Sequence, residues 1–249
     1  MRAKSGARGA THAKRVGLAR ALSKLGYCSR SQASELIRTG RVRLNGATRR
    51  DPETPVRMGK DRIEVDGKAI AGEAKIYIML NKPRGLVTTA QDEQGRDTIY
   101  SCLKKDLPWL APVGRLDKAS EGLLLLTNDS EWAARIAAPE SHVPKTYHVQ
   151  IAGVKDAAFT NGLASGVHVP EFGVMRAASA QILRHGERNS WIEIVLDEGK
   201  NRQIRRMLEA LGVEVLRLVR VAIGSLDLGD LPKGAYRALS AKEKSSLDA

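Results

Sequence analysis

The chain has 249 residues, 42% of them hydrophobic, enough for one large domain or two unequal ones, and its 4% aromatic content leaves the core to Leu, Val, Ile and Ala. The formal charge of +13 is concentrated: residues 1–50 hold 13 Lys and Arg against the single acid Glu35, whereas the other 199 residues are close to balance. A block that basic is relieved by a polyanion, so nucleic acid is the expected partner; no apolar run approaches the about 20 residues of a membrane span, and the basic N-terminus lacks the apolar segment of a secretory signal.

In chain order, residues 1–14 mix Arg, Lys, Gly, Ser and Ala without an apolar period and read as a disordered basic tail. Leu18, Ala21, Leu22 and Leu25 then form one helical stripe that Gly26 stops. Ser29 with Gln32 makes a capping box for a second helix, with Ala33, Leu36 and Ile37 as its stripe and Gly40 as its exit. Val42 and Leu44 alternate with Arg41 and Arg43 into an Asn45-Gly46 turn, and Ile63 and Val65 alternate into Asp66-Gly67. Two helices thus feed a small sheet whose exposed positions are arginines. The stretch from Arg15 to Lys68, carried by SRSQASELIRTGRVRLNG (29–46), resembles the S4-type RNA-binding domain. That resemblance implies a groove between the second helix and the first strand that meets RNA backbone, with Arg30, Ser31, Arg38, Arg41, Arg43 and Asn45 against phosphates.

Residues 69–74 are small and polar and read as a linker into a second domain, 75–240, followed by a C-terminal tail, 241–249. Ile76 to Leu80 reads as a buried strand broken at Lys82-Pro83-Arg84-Gly85, and Gln91 to Asp97 as a polar loop. Gly114-Arg115-Leu116-Asp117 places one acid, flanked by a cation, at the mouth of the apolar run Gly122 to Thr127. Hydrolysis of a glycosidic bond calls for two facing carboxylates; a single acid beside cations suits a nucleophile working on a polyanion. Tyr147, Val149 and Ile151 share one strand face, as do Ile192, Ile194 and Leu196. Strands outnumber helices at short spacing, which predicts an α+β fold with a mixed, largely antiparallel sheet. Ile204, Met207, Leu208 and Leu211 make the apolar stripe of a helix across Asn201 to Leu211. At about 100° per residue Arg205 lies at the edge of that stripe, while Arg202 and Arg206 point nearer to solvent. Arg205 is therefore the arginine expected to reach a carboxylate, and Asp117 is its expected partner.

Cys28 and Cys102 lie far apart without a CxxC pattern, and the five histidines have no ligand spacing. Free thiols in a reducing cytoplasm and no metal site are the expectation.

Four segments in order, NKPRGLVTT (81–89), PVGRLDKASEGLLLLTND (112–129), KTYHVQI (145–151) and EGKNRQIRRMLEALGVEVLRLVRVAIGSLDL (198–228), resemble the motifs of the RsuA-like bacterial ribosomal RNA pseudouridine synthases, many of which carry an N-terminal S4-type domain. The resemblance implies Asp117 as the nucleophile on a flipped-out uridine, Tyr147 stacking on the base, and Arg205 pairing with and orienting Asp117. It also implies substrate contacts from Arg115, Leu116, Leu218 and Arg202, with the Arg115 guanidinium filling the stack that the base vacates. No cofactor, metal or ATP is implied, and the protein is expected to be a cytoplasmic monomer acting on ribosomal RNA. The 114–129 segment is closer to the large-subunit members of the branch, with a small-subunit target left open. Without those motifs Asp117 reads as a turn acid, Tyr147 and Leu218 as core, and Arg205 as the partner of Glu209. The rival functions are a non-catalytic RNA-binding assembly factor and a base-removing hydrolase.

Overall fold

The computed structural model describes residues 15–72, 74–89 and 94–248, so the basic stretch 1–14 and the first residues of the predicted polar loop lie outside the described residues. The chain folds as two compact units that divide between Ala74 and Lys75.

The first unit runs β1 (Arg15–Gly17), α1 (Leu18–Lys24), α2 (Arg30–Arg38), β2 (Val42–Leu44), β3 (Ala47–Arg49), β4 (Pro55–Arg57), β5 (Ile63–Val65) and β6 (Lys68–Ala69). Each boundary has a local cause. Ser29 and Gln32 form the reciprocal capping box that starts α2. Asn45-Gly46 and Asp66-Gly67 all take positive φ, the backbone of two-residue hairpins that join β2 to β3 and β5 to β6. The sheet order is β3-β2-β5-β6, with β1 and β4 paired separately. Its core is aliphatic, with Leu18, Leu22, Ala33, Ile37, Val42 and Val65 all buried. Ile70 packs on that core, so the predicted linker begins with residues that belong to the unit.

The second unit runs β7 (Tyr77–Lys82), a 3-10 turn (Ile99–Cys102), β8 (Ala111–Val113), β9 (Glu121–Thr127), α3 (Ser130–Ala137), β10 (Lys145–Ala152), α4 (Ala157–Ser165), β11 (Val167–Val169) and β12 (Gly173–Met175). It continues through β13 (Ser179–His185), β14 (Asn189–Leu196), α5 (Gln203–Ala210), β15 (Val215–Ile223), β16 (Leu226–Asp227), β17 (Tyr236–Ala238) and α6 (Ala241–Ser246). Seven strands form the path β13-β14-β10-β15-β9-β7-β17 of a nine-stranded sheet, with β16 on β15 and β8 on β9. All of its described pairings are antiparallel except β9 with β15. The whole is α+β with a mixed sheet.

That parallel seam depends on Gly122. Its φ is +104°, and a Cβ there would sit 2.2 Å from the Arg220 carbonyl oxygen, so only glycine lets the two backbones approach. Beyond it Leu123 to Leu126 are wholly buried, contributing alternately to cores on the two sheet faces. On the other half of the sheet, Val149, Ile151, Ile192, Ile194 and Leu218 pack against Ile204, Met207 and Leu208 of α5.

Two expectations are corrected. Leu211 is exposed rather than the last member of the α5 stripe, because Gly212 turns left-handed and Val213 folds back to the Leu208 carbonyl, which puts Val213 in the core instead. Residues 241–248 are not a tail: Ser240 and Glu243 cap α6, Glu243 pairs with Arg237, and Leu247 is buried with Met79 and Trp132.

Candidate active site

Asp117 sits on the loop between β8 and β9, and the loop's backbone is fixed from beneath. Gly114 at φ +71° turns the chain out of β8. Leu116 is buried against Ile78, Leu80 and Leu124. Its carbonyl accepts from Thr88 Oγ1 at 2.7 Å and its N–H donates to the same oxygen at 3.3 Å. The Ser120 N–H donates to the Asp117 carbonyl at 3.0 Å and closes a turn, and the Gly85 N–H donates to the Lys118 carbonyl at 2.8 Å. Lys82, with no exposed surface, donates from Nζ to the carbonyls of Pro83 (3.1 Å), Asp117 (3.1 Å) and Ser120 (2.9 Å). Burial pulls its pKa down to about 8, opposed by the Asp117 and Glu121 carboxylates.

Arginines from α5 meet this loop, in a different pairing from the expected one. Arg202 Nη1, not Arg205, lies 3.4 Å from Asp117 Oδ2. Arg205 donates from Nη2 to the Ala119 carbonyl at 3.1 Å, with Ser120 Oγ at 3.5 Å. The physical reason is where α5 begins. Arg202 precedes the helix as its N-cap, in left-handed conformation at φ +53°, so helical spacing does not govern its direction. Burial and the neighbouring Arg202 press the Arg205 pKa below its usual value, with Asp117 opposing. Arg206 turns away, stacking on Phe172 at 3.6 Å and donating to Asn201.

A cleft of about 370 Å³ opens beside Asp117, and Arg115, Leu116, Tyr147, Arg202, Arg205 and Leu218 all line it. The strands bring the last group together: on β10 Tyr147 lies opposite Arg220 of β15, and Val149 opposite Leu218. Tyr147 also packs on the hydrophobic clusters on either side. Among the described lining residues, Arg115, Lys145, Lys200, Arg202, Arg205 and Arg220 supply positive charge against Asp117 and Glu198. Such a cleft attracts a polyanion. Among the described residues no group of three or more His, Cys, Asp or Glu could hold a metal ion, and no helix is long and apolar enough to cross a membrane.

In the first unit Arg30, Ser31, Arg38 and Arg43 are exposed. Two of the expected phosphate contacts are already engaged. Arg41 makes a bidentate pair with Asp66 at 2.9 and 2.5 Å. Asn45 accepts from the Arg62 N–H at 2.9 Å and donates to Asp61 at 3.3 Å, so it pins β5 to the hairpin turn.

Comparison with known proteins identifies the two units. Residues 16–68 match the S4 domain, and residues 76–210 match the family described as RNA pseudouridylate synthase. The chain belongs to the RNA pseudouridine synthases. It is 36% identical over 234 residues to the ribosomal large subunit pseudouridine synthase B of Bacillus subtilis, covering 93% of this chain and 95% of that one. It is 38% identical over 227 residues to an RNA pseudouridine synthase of Aquifex aeolicus, covering 91% of each. A crystal structure of a pseudouridylate synthase superposes with a TM-score of 0.66 at 31% identity, over 93% of this chain and 99% of that one.

Sequence reasoning missed two residues that line this synthase's cleft, Lys145 and Arg220, and two that support the backbone and strands behind it, Lys82 and Glu121. Lys82 read only as a strand breaker, because nothing in a linear pattern shows three carbonyls converging on one ammonium. Glu121 is buried and carries both Arg217 (2.9 Å) and Lys233 (2.6 Å), holding its carboxyl below the usual range despite its burial. Lys145 and Arg220 line the cleft from neighbouring strands. The available signal was their period: Lys145 alternates with Tyr147, and Arg220 with Leu218, on faces already assigned to the site.

Proposed function

We propose that this RNA pseudouridine synthase isomerises a uridine of ribosomal RNA, in the large subunit, with Asp117 as the nucleophile. The observation that carries the reading is a carboxylate on an immobilised backbone, opening onto a cation-lined cleft that also holds Tyr147 and Leu218. In the reaction the C1′–N1 bond breaks, a C1′–C5 bond forms, C5 loses a proton and N1 gains one, so mass is unchanged and no oxidant is needed. Asp117 attacks the target nucleotide and stabilises the separated state. Tyr147 offers a ring on which the extruded base stacks, and Leu218 walls the pocket. Arg202 and Arg205 orient the carboxylate and the loop that bears it. Arg115, exposed two residues before Asp117, takes the place of the flipped base in the RNA stack. The S4 unit supplies affinity for the RNA backbone through Arg30, Arg38 and Arg43.

The large-subunit target is supported by the name of the Bacillus subtilis relative and by its 36% identity across nearly the whole chain. Pseudouridine mapping in ribosomal RNA from cells with the protein, without it, and with Asp117→Ala tests both parts. One large-subunit position should lose its modification in the last two. A lost position in small-subunit RNA would move the target, and modification persisting with Asp117→Ala would remove the nucleophile. Release of free uracil from the RNA would turn the reading to a hydrolase.

A further inference from the structure

Arg220 is the most deeply enclosed cation lining the cleft, and it is not fully used. It is 5% exposed. Its Nε donates to the Leu123 carbonyl at 2.7 Å, which anchors the guanidinium against β9. Its Nη2 is buried and has no hydrogen-bond partner. A buried, charged donor without an acceptor is costly, and such groups persist where a ligand supplies what the protein withholds. The carboxylate nearest along its own seam, Glu121, is committed to Arg217 and Lys233. The surrounding residues fix what kind of acceptor fits. Arg220 lines the cleft, opposite Tyr147 in the β10–β15 pairing and two residues from Leu218; its Nη2 is closed off from solvent within that wall, so a bound ring meets it by displacing the groups that cover it. Lys145, one alternation before Tyr147, lines the same cleft and is half-buried, its pKa lowered first by burial and then by Arg220, with Asp197 opposing. A phosphate stays at the rim of such a cleft, where Arg115, Lys200 and Arg202 are exposed; the floor receives the ring.

We propose that Arg220 Nη2 is a hydrogen-bond donor to a carbonyl oxygen of the flipped uracil, and that it holds the ring through its rotation. This rests on the reading of the cleft given above. Uracil has a near-symmetry that makes one fixed donor serve twice. A half-turn about the N3–C6 axis exchanges N1 with C5, as the isomerisation requires, and in the same movement exchanges O2 with O4. A donor placed at one carbonyl of the bound uridine therefore meets the other carbonyl of the ring when C5 faces C1′. The ring stays tethered while neither glycosidic bond exists, and its negative charge is met by a guanidinium that is itself held by Leu123 and by no carboxylate among the described residues.

The test pairs a protein change with a substrate change. A ribosomal RNA fragment containing the mapped position is synthesised with uridine, 2-thiouridine or 4-thiouridine there, because sulfur is the weaker acceptor. Pseudouridine formation is followed in single turnover with wild type and with Arg220→Met, which keeps length and loses the donors. Arg220→Met should slow the uridine substrate by about 10- to 100-fold, the range for a hydrogen bond to a charged group. The thio-substitutions should slow wild type severalfold and Arg220→Met little further, and Arg220→Lys should recover part of the rate. A merely structural role gives penalties that multiply, because a damaged fold does not know which atom the substrate carries; multiplied penalties on both thio-RNAs would overturn the assignment. Absence of pseudouridine from wild type on the uridine RNA would instead overturn the parent reading.

Discussion

The ion-paired arginines on the surface of the S4 unit and the buried cations around the cleft differ in what they are bonded to. In the S4 unit Arg41, Arg57 and Arg62 pair with Asp66, Asp61 and Glu64, all three arginines being exposed. Pairs made by such exposed arginines are weak and are screened by salt. Around the catalytic cleft Lys82, Arg205 and Arg220 are buried or half-buried, and their donors go to main-chain carbonyls of Pro83, Asp117, Ser120, Ala119 and Leu123. A cation on a carboxylate is neutralised, whereas a cation on a carbonyl keeps its charge for a ligand while fixing the backbone it touches. The cations around the cleft thus fix main-chain geometry, which the exposed ion pairs of the S4 unit named above do not.

The largest effect expected from that contrast is at Asp117. Asp117→Asn keeps shape and loses the proposed nucleophile, so pseudouridine formation should fall by on the order of 10⁴-fold or more. RNA affinity by filter binding should stay within about twofold if, as proposed, the S4 unit supplies it through backbone contacts. A parallel loss of binding would show that the two units do not divide the work. Next is Gly122→Ala, which forces a Cβ against the Arg220 carbonyl at a positive φ. Unfolding should become easier by roughly 2–4 kcal/mol in denaturant titration, with loss of turnover, because the seam that aligns the Asp117 loop with β15 must open.

Lys82 supplies a prediction in pH. Its ammonium titrates near 8 in the fold and near the ordinary lysine value once unfolded. Between these values the unfolded chain binds more protons, so this residue's contribution to stability rises with pH across that window. Denaturant titrations of wild type and Lys82→Met from pH 7 upward should show wild type gaining on the variant above pH 8. A constant difference would mean that Lys82 is not desolvated as its position indicates. Turnover should move the other way above pH 8, because a neutral amine has two N–H groups for three carbonyls.

Which of these residues were legible in the sequence follows from how local their causes are. The helix ends at Gly26 and Gly40, the capping box at Ser29 and the Asn45-Gly46 turn are decided within a few residues, and they were readable. The family was readable because Gly-Arg-Leu-Asp and the segments around it resemble its motifs. The parallel β9–β15 pairing was not, since periodicity tells which face is buried and not which strand lies alongside. The α6 helix was invisible because AKEKSS has no apolar stripe; its anchor is the single residue Leu247, outside the helix. Arg202 was misjudged because a helical wheel was extended one residue past the start of the helix, onto a left-handed residue.

The smallest expected effect separates two arginines one strand position apart in face. Arg43 is exposed on β2, and its cross-strand neighbour Glu64 is already taken by Arg62. Its phosphate contact would release counterions fully, so Arg43→Ala should lower the slope of log affinity against log salt by about one. Arg41 must first give up its bidentate pair with Asp66, so part of its charge is spent within the protein. Arg41→Ala should therefore change the slope by less than Arg43→Ala does, and Arg41→Ala combined with Asp66→Ala should bind RNA much as wild type. Binding isotherms across a salt series measure both. If the two single variants change the slope equally, the Arg41–Asp66 pair opens on RNA, and the carboxylate pairs of this unit are as available to the ligand as its free arginines.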